Sequence, residues 1–394
     1  MIASESNNKL DLNADKATDK AIANVKSNAK ASQTETNVLV AKFNNGRLVE
    51  SEKLALKLTQ KYPTDGFGWK VLGAIYQQQG LLEKASRALI NAAEYSPKDS
   101  EAQYNLGNYY YDQNLLNEAA SFYRKAIEIN SSFAQAYYNL GSVYKELNLI
   151  SEAENSYKNA LKLSPKNTEM HFNFALMLYE QGRFVEAINY YLQTLKLQPD
   201  FVAAHVNLGA SYKALGNQQD AVNSYKKAIE LNASHVDAYN NLGVVLKELG
   251  NMTEAEDCYR TSISINADYV PAYNNLGILL KDTGRKVEAE SYYKKALKID
   301  PLRAVTHSNL AVLLRELGRF VDSEVCARNA LKINPNYVDA YNNLGLALDS
   351  QNQFVEAVAA FEQAIDIDPN STSALSNFSV TLNTLGQLTR AETC

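Results

Sequence analysis

The sequence predicts an all-α fold, a solenoid of stacked 34-residue helix-turn-helix units, on three observations. A short motif containing Asn-Leu-Gly returns every 34 residues without an insertion. Small and large residues keep fixed places around it. Only 8 prolines and 17 glycines occur in 394 residues, which leaves little room for a strand-and-turn architecture.

With Ser100 taken as the first residue of a unit, the sixth position holds Asn105, Asn139, Asn173, Asn207, Asn241, Asn275, Asn309, Asn343 and Asn377. The eighth is always glycine or alanine, from Gly73 and Gly107 to Ala311 and Gly345. The twentieth is alanine from Ala85 to Ala391, with Ser323 as the exception, and the twenty-fourth is mostly aromatic, from Tyr123 through Tyr293 to Phe361. Within AYNNLGVVLKEL (238–249) the apolar residues fall at helical spacing, and EAEDCYRTSISI (254–265) is a second amphipathic run. The polar joint KELGNMTE (247–254) connects them. Small residues at eight and twenty let two antiparallel helices approach closely, and the aromatic at twenty-four fills the remaining gap. Prolines at position thirty-two, such as Pro97, Pro165 and Pro335, stop the second helix. One such hairpin cannot bury its apolar face alone, so the units must stack.

This pattern resembles the tetratricopeptide repeat (TPR), and the resemblance covers 66–371 as nine full repeats. It implies a right-handed superhelix whose first helices line a concave inner wall, with position six pointing into it. Ser131, Ala233 and Ala267 replace the proline, and Leu89 and Ala327 the aromatic, so those repeats are expected to be looser.

The ends differ. Residues 32–65 keep the phase but lack the Leu-Gly pair and are expected to form a degenerate capping repeat. Residues 1–31 contain no aromatic and are expected to be a disordered tail. Residues 372–394 read as a truncated further repeat that breaks off early in its second helix. Since an array normally finishes on a polar-faced helix, the polypeptide is expected to continue past Cys394, into a covalently continuous C-terminal catalytic domain on the reading below.

Composition excludes several classes. A formal net charge of -5 gives no basic excess for phosphates, so nucleic acid is not an expected partner. No run of about 18 apolar residues occurs, so no membrane partner is expected either. Cys258, Cys326 and Cys394 share position twenty-three, two repeats apart, too far for a disulfide or a shared metal ion. Three reduced thiols suit a cytoplasmic location. His171, His205 and His307 occupy position four, where other repeats place Trp69, Tyr239, Tyr273 and Tyr341, so they fill an aromatic slot; His235 stands alone at a repeat junction. No phosphate loop, dinucleotide fingerprint, nucleophile elbow or zinc-protease motif is present, so no catalytic residue, metal or cofactor is expected in this stretch.

The asparagines invite a functional reading. Asparagine is a poor interior helix residue, worse than alanine by about half a kcal/mol, yet position six is asparagine in every unit from Asn105 to Asn377 while position nine wanders through Asn108, Ser142, Leu176, Ala210, Val244, Ile278, Val312 and Leu346. A carboxamide both donates and accepts, which suits the backbone of an extended peptide. Inheritance by duplication and bridging between helices are the structural alternatives. Tyr104, Tyr138 and Phe172 precede the asparagine early, and Asn240, Asn274 and Asn342 later, so the wall is expected to run from apolar to polar. Lys145, Lys213, Lys247, Lys281 and Arg315 at position twelve face Glu146, Glu248, Asp282 and Glu316 at thirteen, a stripe that selects charged clients or is simply solvated. The carboxylate clamp by which some TPR domains seize chaperone tails needs a lysine four residues before the asparagine. Glu101, Gln135, Glu169, Ala203, Asp237, Pro271, Val305 and Asp339 stand there instead.

The long asparagine ladder, and AEDCYRTSISINADYVPAYNNLG (255–277) above all, is similar to the superhelix preceding the catalytic region of O-linked N-acetylglucosamine transferases, including SPINDLY-like and bacterial relatives. That resemblance implies a peptide-binding arm that presents acceptor proteins to a glycosyltransferase. The alternative is a free-standing assembly scaffold with no enzyme attached.

Overall fold

The computed structural model describes residues 29–386. The expected tail up to residue 28, and Ala391 and Cys394 of the last unit, lie outside the described residues. Among the described residues there are 21 helices and no strand. These described residues fall into two compact units, divided between Met177 and Leu178.

In the first unit the hairpins are α1 (Gln33–Asn44) with α2 (Leu48–Lys61), α3 (Gly66–Gln78) with α4 (Leu82–Tyr95), α5 (Ser100–Asp112) with α6 (Leu116–Ile129), and α7 (Ala134–Glu146) with α8 (Ile150–Leu163). Helix α9 (Thr168–Glu180) contains the division. The second unit holds α10 (Phe184–Leu197), then α11 (Val202–Ala214) with α12 (Gln218–Leu231), α13 (Val236–Glu248) with α14 (Met252–Ile265), and α15 (Val270–Asp282) with α16 (Lys286–Ile299). It continues with α17 (Ala304–Glu316) and α18 (Phe320–Ile333), α19 (Val338–Asp349) and α20 (Phe354–Ile367), and α21 (Thr372–Thr384).

Each hairpin turn has one cause. Position fifteen is glycine or asparagine in every repeat, and it sits in the left-handed region: φ is 82° at Gly250 and 58° at Asn148. The amide after it then reaches back into the last turn, as Asn251 N–H to the Leu246 carbonyl (2.9 Å) and Leu149 N–H to that of Tyr144 (2.8 Å). This is the Schellman closure, which glycine and asparagine tolerate because their left-handed conformers are cheap. Helix starts are capped where the sequence supplies an acid or hydroxyl: Asp99 accepts from the amides of Glu101 and Ala102, and Ser32 forms a capping box with Glu35.

The core follows the small-large rule. Tyr123, Tyr157, Tyr191, Tyr225, Tyr259 and Tyr293 are all buried, as are the position-twenty alanines from Ala85 to Ala357. A Cβ added to Gly277 would lie 2.6 Å from the Tyr293 ring, and one added to Gly345 would lie 2.5 Å from Phe361. The ring therefore rests where a side chain at eight would be. In 304–337 the exchange is visible in reverse, since Ala311 stands where glycine is usual and Ala327 where the ring is usual.

Position four joins one repeat to the end of the last. Trp69 Nε1–H donates to the Pro63 carbonyl (3.0 Å), and the Nε2 atoms of His171, His205 and His307 donate to the carbonyls of Pro165, Pro199 and Pro301 (2.9, 2.9 and 3.0 Å). A carbonyl only accepts, so Nε2 carries the proton. The histidines are junction clips, and His235 caps α13 through Nδ1, accepting from the Ala238 amide.

Candidate functional site

Positions five and twelve lie two helical turns apart and share one face of a first helix; six and thirteen share a face of the next. At most of the places where first helices of successive repeats meet, position five is bonded to position six or position twelve to position thirteen, in each case 35 residues on. Asn139 Nδ2 donates to the Tyr104 hydroxyl (2.9 Å), and Asn173 Nδ2 to that of Tyr138. Asn275 donates to Asn240 Oδ1 (2.9 Å), Asn309 to Asn274 Oδ1 (3.0 Å), Asn343 to Ser308 Oγ (2.9 Å) and Asn377 to Asn342 Oδ1 (2.9 Å). Six of the nine asparagines are thus rungs between repeats, which is the bridging alternative raised by the sequence.

The second set of contacts is mostly ionic. Lys213 meets Glu248 at 3.2 Å, Lys247 meets Asp282 at 2.7 Å and Lys281 meets Glu316 at 3.9 Å. Tyr111 takes the place of the lysine and donates to Glu146. Burial and Glu146 push that phenol up to about 12. Burial works against ionisation of Asp282, but Lys247 and Lys281 outweigh it and hold the carboxyl below its ordinary range. Arg315 closes the stripe: the next position thirteen is Ser350, and among the described residues no ion pair forms at Arg315.

The expected gradation of the wall at position five is therefore corrected. Tyr138, Asn240, Asn274 and Asn342 are buried, because the first helix of the following repeat covers them. Burial and the neighbouring Glu169 raise the Tyr138 phenol, whose hydroxyl donates to Glu169 at 3.1 Å. Polarity varies instead at position nine, which sits beside the position-twenty-four ring. The Tyr123 hydroxyl donates to Asn108 Oδ1 (2.8 Å) and that of Tyr157 lies 3.0 Å from Ser142 Oγ, whereas Tyr225 has Ala210 at that place.

The same positions open a cleft in each unit. In the first, a cleft of about 700 Å³ is lined by Gln77, Gln78, Asn108, Tyr111, Tyr138, Asn139 and neighbours. In the second, one of about 330 Å³ is lined by Tyr179, Ala210, Lys213, Ala214, Tyr225, Asn241 and Val244. Of the expected site residues, these clefts gather Tyr138 and Asn139 in one case and Lys213 and Asn241 in the other. Asn275, Asn309, Asn343, Asn377, Lys247, Lys281 and Arg315 line neither. The cleft floors, Tyr123 and Tyr225, escaped the sequence reading because their aromatic periodicity accounted for them as core.

Nothing else among the described residues suggests chemistry. No cluster of three or more His, Cys, Asp or Glu is placed to hold a metal ion, and no helix is long and apolar enough to cross a membrane. Cys258 and Cys326 are unpaired, and burial pushes both thiols up to about 11, which leaves them poor nucleophiles.

Comparison with known proteins agrees with this geometry. The family model described as the Cilia and flagella-associated protein 70 C-terminal domain matches residues 166–374, a TPR repeat model matches 107–148, and a tetratricopeptide repeat model matches 134–167. No curated protein matches the chain. Among solved structures, yeast Tom70 is 14% identical with a TM-score of 0.52, covering 90% of this chain and 95% of that one. A tetratricopeptide repeat protein from Parabacteroides merdae is 20% identical with a TM-score of 0.54, covering 64% and 100%. MamA is 27% identical over 43% of this chain and 92% of its own, with a TM-score of 0.40. None of these likenesses bears on a glycosyltransferase region. Stacked helical hairpins, the glycine-to-ring packing at eight and twenty-four, and a repeat-domain model that matches just over half of the residues lead to one assignment: the chain belongs to the tetratricopeptide-repeat family described as the Cilia and flagella-associated protein 70 C-terminal domain.

Proposed function

We propose that the chain is a protein-interaction scaffold that holds extended polypeptide segments against its first helices. The observation that carries this is the recurrence of a cleft at equivalent repeat positions in both units, each with polar groups beside an aromatic floor. An extended chain offers alternating carbonyls and amides, and a surface with the same chemistry at repeat spacing can take successive stretches of it. Its unpaired thiols suit the cytoplasm. Delivery of the bound segment to a glycosyltransferase rests on the repeat resemblance alone.

The test is selection from a displayed library of short random peptides on the whole chain. Enriched peptides should lose binding to Ser142→Trp or Ala210→Trp, which fill the clefts, and keep it with Asn155→Trp on α8. Absence of enrichment, or binding indifferent to both cleft substitutions, overturns the reading.

A further inference from the structure

One repeat of the second unit fills from within a place that a repeat of the first unit leaves open. In the second unit the Tyr292 ring of α16 packs against α14 and α15. Its centroid is 6.1 Å from that of Tyr273, and Ile263 belongs to the same apolar cluster. The Arg260 guanidinium stands 5.6 Å from the ring centroid while its Nη1 donates to the Tyr292 hydroxyl (2.7 Å). Aromatic contact, apolar burial and a cation over the ring thus act on one side chain. Glu256, one turn back on the same helix, holds Arg260 at 2.7 Å.

In the first unit the same three walls recur position for position. Arg124 and Ile127 on α6 and Tyr137 on α7 are the equivalents of Arg260, Ile263 and Tyr273. Position twenty-three on α8, however, is Ser156, whose hydroxyl donates to the Glu152 carbonyl of its own helix (2.8 Å). A cleft of about 270 Å³ opens there, and Arg124, Ile127, Tyr137 and Ser156 all line it. Arg124 lacks its acid as well, since Ala120 stands at the position of Glu256, and it makes no ion pair or hydrogen bond among the described residues. Glu128 and Glu152 line the same cleft, are exposed, and likewise form no ion pair among the described residues. The cleft therefore offers an aromatic and aliphatic wall, one donor suited to a hydroxyl, and two carboxylates against one guanidinium.

We propose that this cleft takes a tyrosine side chain of a partner polypeptide, seated as Tyr292 is seated in the second unit. The ring rests on Tyr137 and Ile127, the phenol oxygen accepts from Arg124, and basic residues beside the tyrosine are answered by Glu128 and Glu152. Phenylalanine fills the space but leaves Arg124 without its acceptor, and a phosphate group meets the two carboxylates. The cleft shares no residue with the two clefts described above, so this is a second docking surface, carried largely by the second helices α6 and α8, and it goes beyond the function proposed from the first helices.

The experiment titrates the whole chain with acetyl-Lys-Tyr-Lys-amide and follows the δ1 methyl resonance of Ile127, assigned with Ile127→Val. The resonance should move saturably, and the Phe version of the peptide should bind about threefold to tenfold more weakly, the value of one hydrogen bond. The Ala version should leave the resonance in place. Arg124→Ala should abolish the difference between the Tyr and Phe peptides. Ser156→Tyr, which supplies the ring from within as Tyr292 does, should remove binding, and Asn155→Trp, placed at an exposed position of the same cleft, should do the same if the first substitution disturbs folding. Ala210→Trp should leave the titration unchanged, which keeps this result separate from that of the first-helix clefts. Equal responses to the Tyr and Ala peptides, or affinity unchanged in both Ser156→Tyr and Asn155→Trp, overturn the proposal. Tighter binding of the phosphotyrosine peptide would make the cleft an anion site and overturn it too.

Discussion

Asn275 Nδ2 donates to Asn240 Oδ1 at 2.9 Å across the junction of two repeats, and Asn240 is 5% exposed. The cost of asparagine inside a helix is about half a kcal/mol relative to alanine. Leaving the buried Asn240 carbonyl without a partner costs about 1–3 kcal/mol. The second term wins.

Asn275→Ala should therefore lower stability by about 1 kcal/mol despite its better helix propensity. Asn105, with Lys70 at the preceding position five, has no rung, and Asn105→Ala should stay within about 0.5 kcal/mol of the native chain. Urea titrations followed by far-UV circular dichroism compare the two. Equal stability of both variants would remove the rungs from the account of what joins repeats.

Gly345 and Phe361 form the tightest of the ring seats, with an added Cβ 2.5 Å from the ring. Gly345→Ala alone should cost about 1–3 kcal/mol through overpacking, and Phe361→Ala about 3–5 kcal/mol through the cavity it leaves. Made together they should cost clearly less than the sum, since each relieves the defect of the other. The pairing of Ala311 with Ala327 shows that the combination is tolerated. Strict additivity in a double-mutant cycle would contradict this packing.

Stability should also depend on pH at both extremes. Burial opposes ionisation of Glu256, but Arg260 and Arg285 outweigh it and hold the carboxyl low; Lys294 and then Arg319 do the same for Glu290. A carboxyl depressed in the folded state stabilises above its unfolded value near about 4 and loses that contribution as pH falls through the folded one. Burial raises the phenols of Tyr225, Tyr259 and Tyr293, so their contribution is present below about 10 and is lost as pH rises. Unfolding midpoints should be level near neutrality, fall below about pH 5 and fall again above about pH 10. Glu256→Gln should flatten the acid side; an unaltered acid limb would exclude the Arg260 and Arg285 contacts as its source.

Much of the fold was legible because each repeat states the same rule again. The eight-to-twenty-four packing needs only volume, and volume is read directly from Gly277 and Tyr293. The turn was legible too but passed over: Gly250 looked like a member of a polar joint, although glycine or asparagine at position fifteen, as at Gly250 and Asn148, is as regular as the asparagine at six. The rungs were harder. Comparing equivalent positions shows that Asn275 resembles Asn241, but its hydrogen bond goes to a non-equivalent residue one repeat back, Asn240. Helix propensity is local, and the partner is not.

The offset of 35 in a period of 34 residues also governs how such a gene can be rearranged. Every junction is written half in one repeat and half in the next. The repeat at 236–269 carries asparagine at both places, so a tandem duplicate would supply its own acceptor and could be copied indefinitely. Excision of that same repeat would set Asn275 behind Val206 and orphan it, whereas excision of 270–303 would set Asn309 behind Asn240 and mend the seam. Repeats that look interchangeable by their shared residues thus differ in which neighbours let them form a rung, and joints such as Val206 with Asn241 do without one.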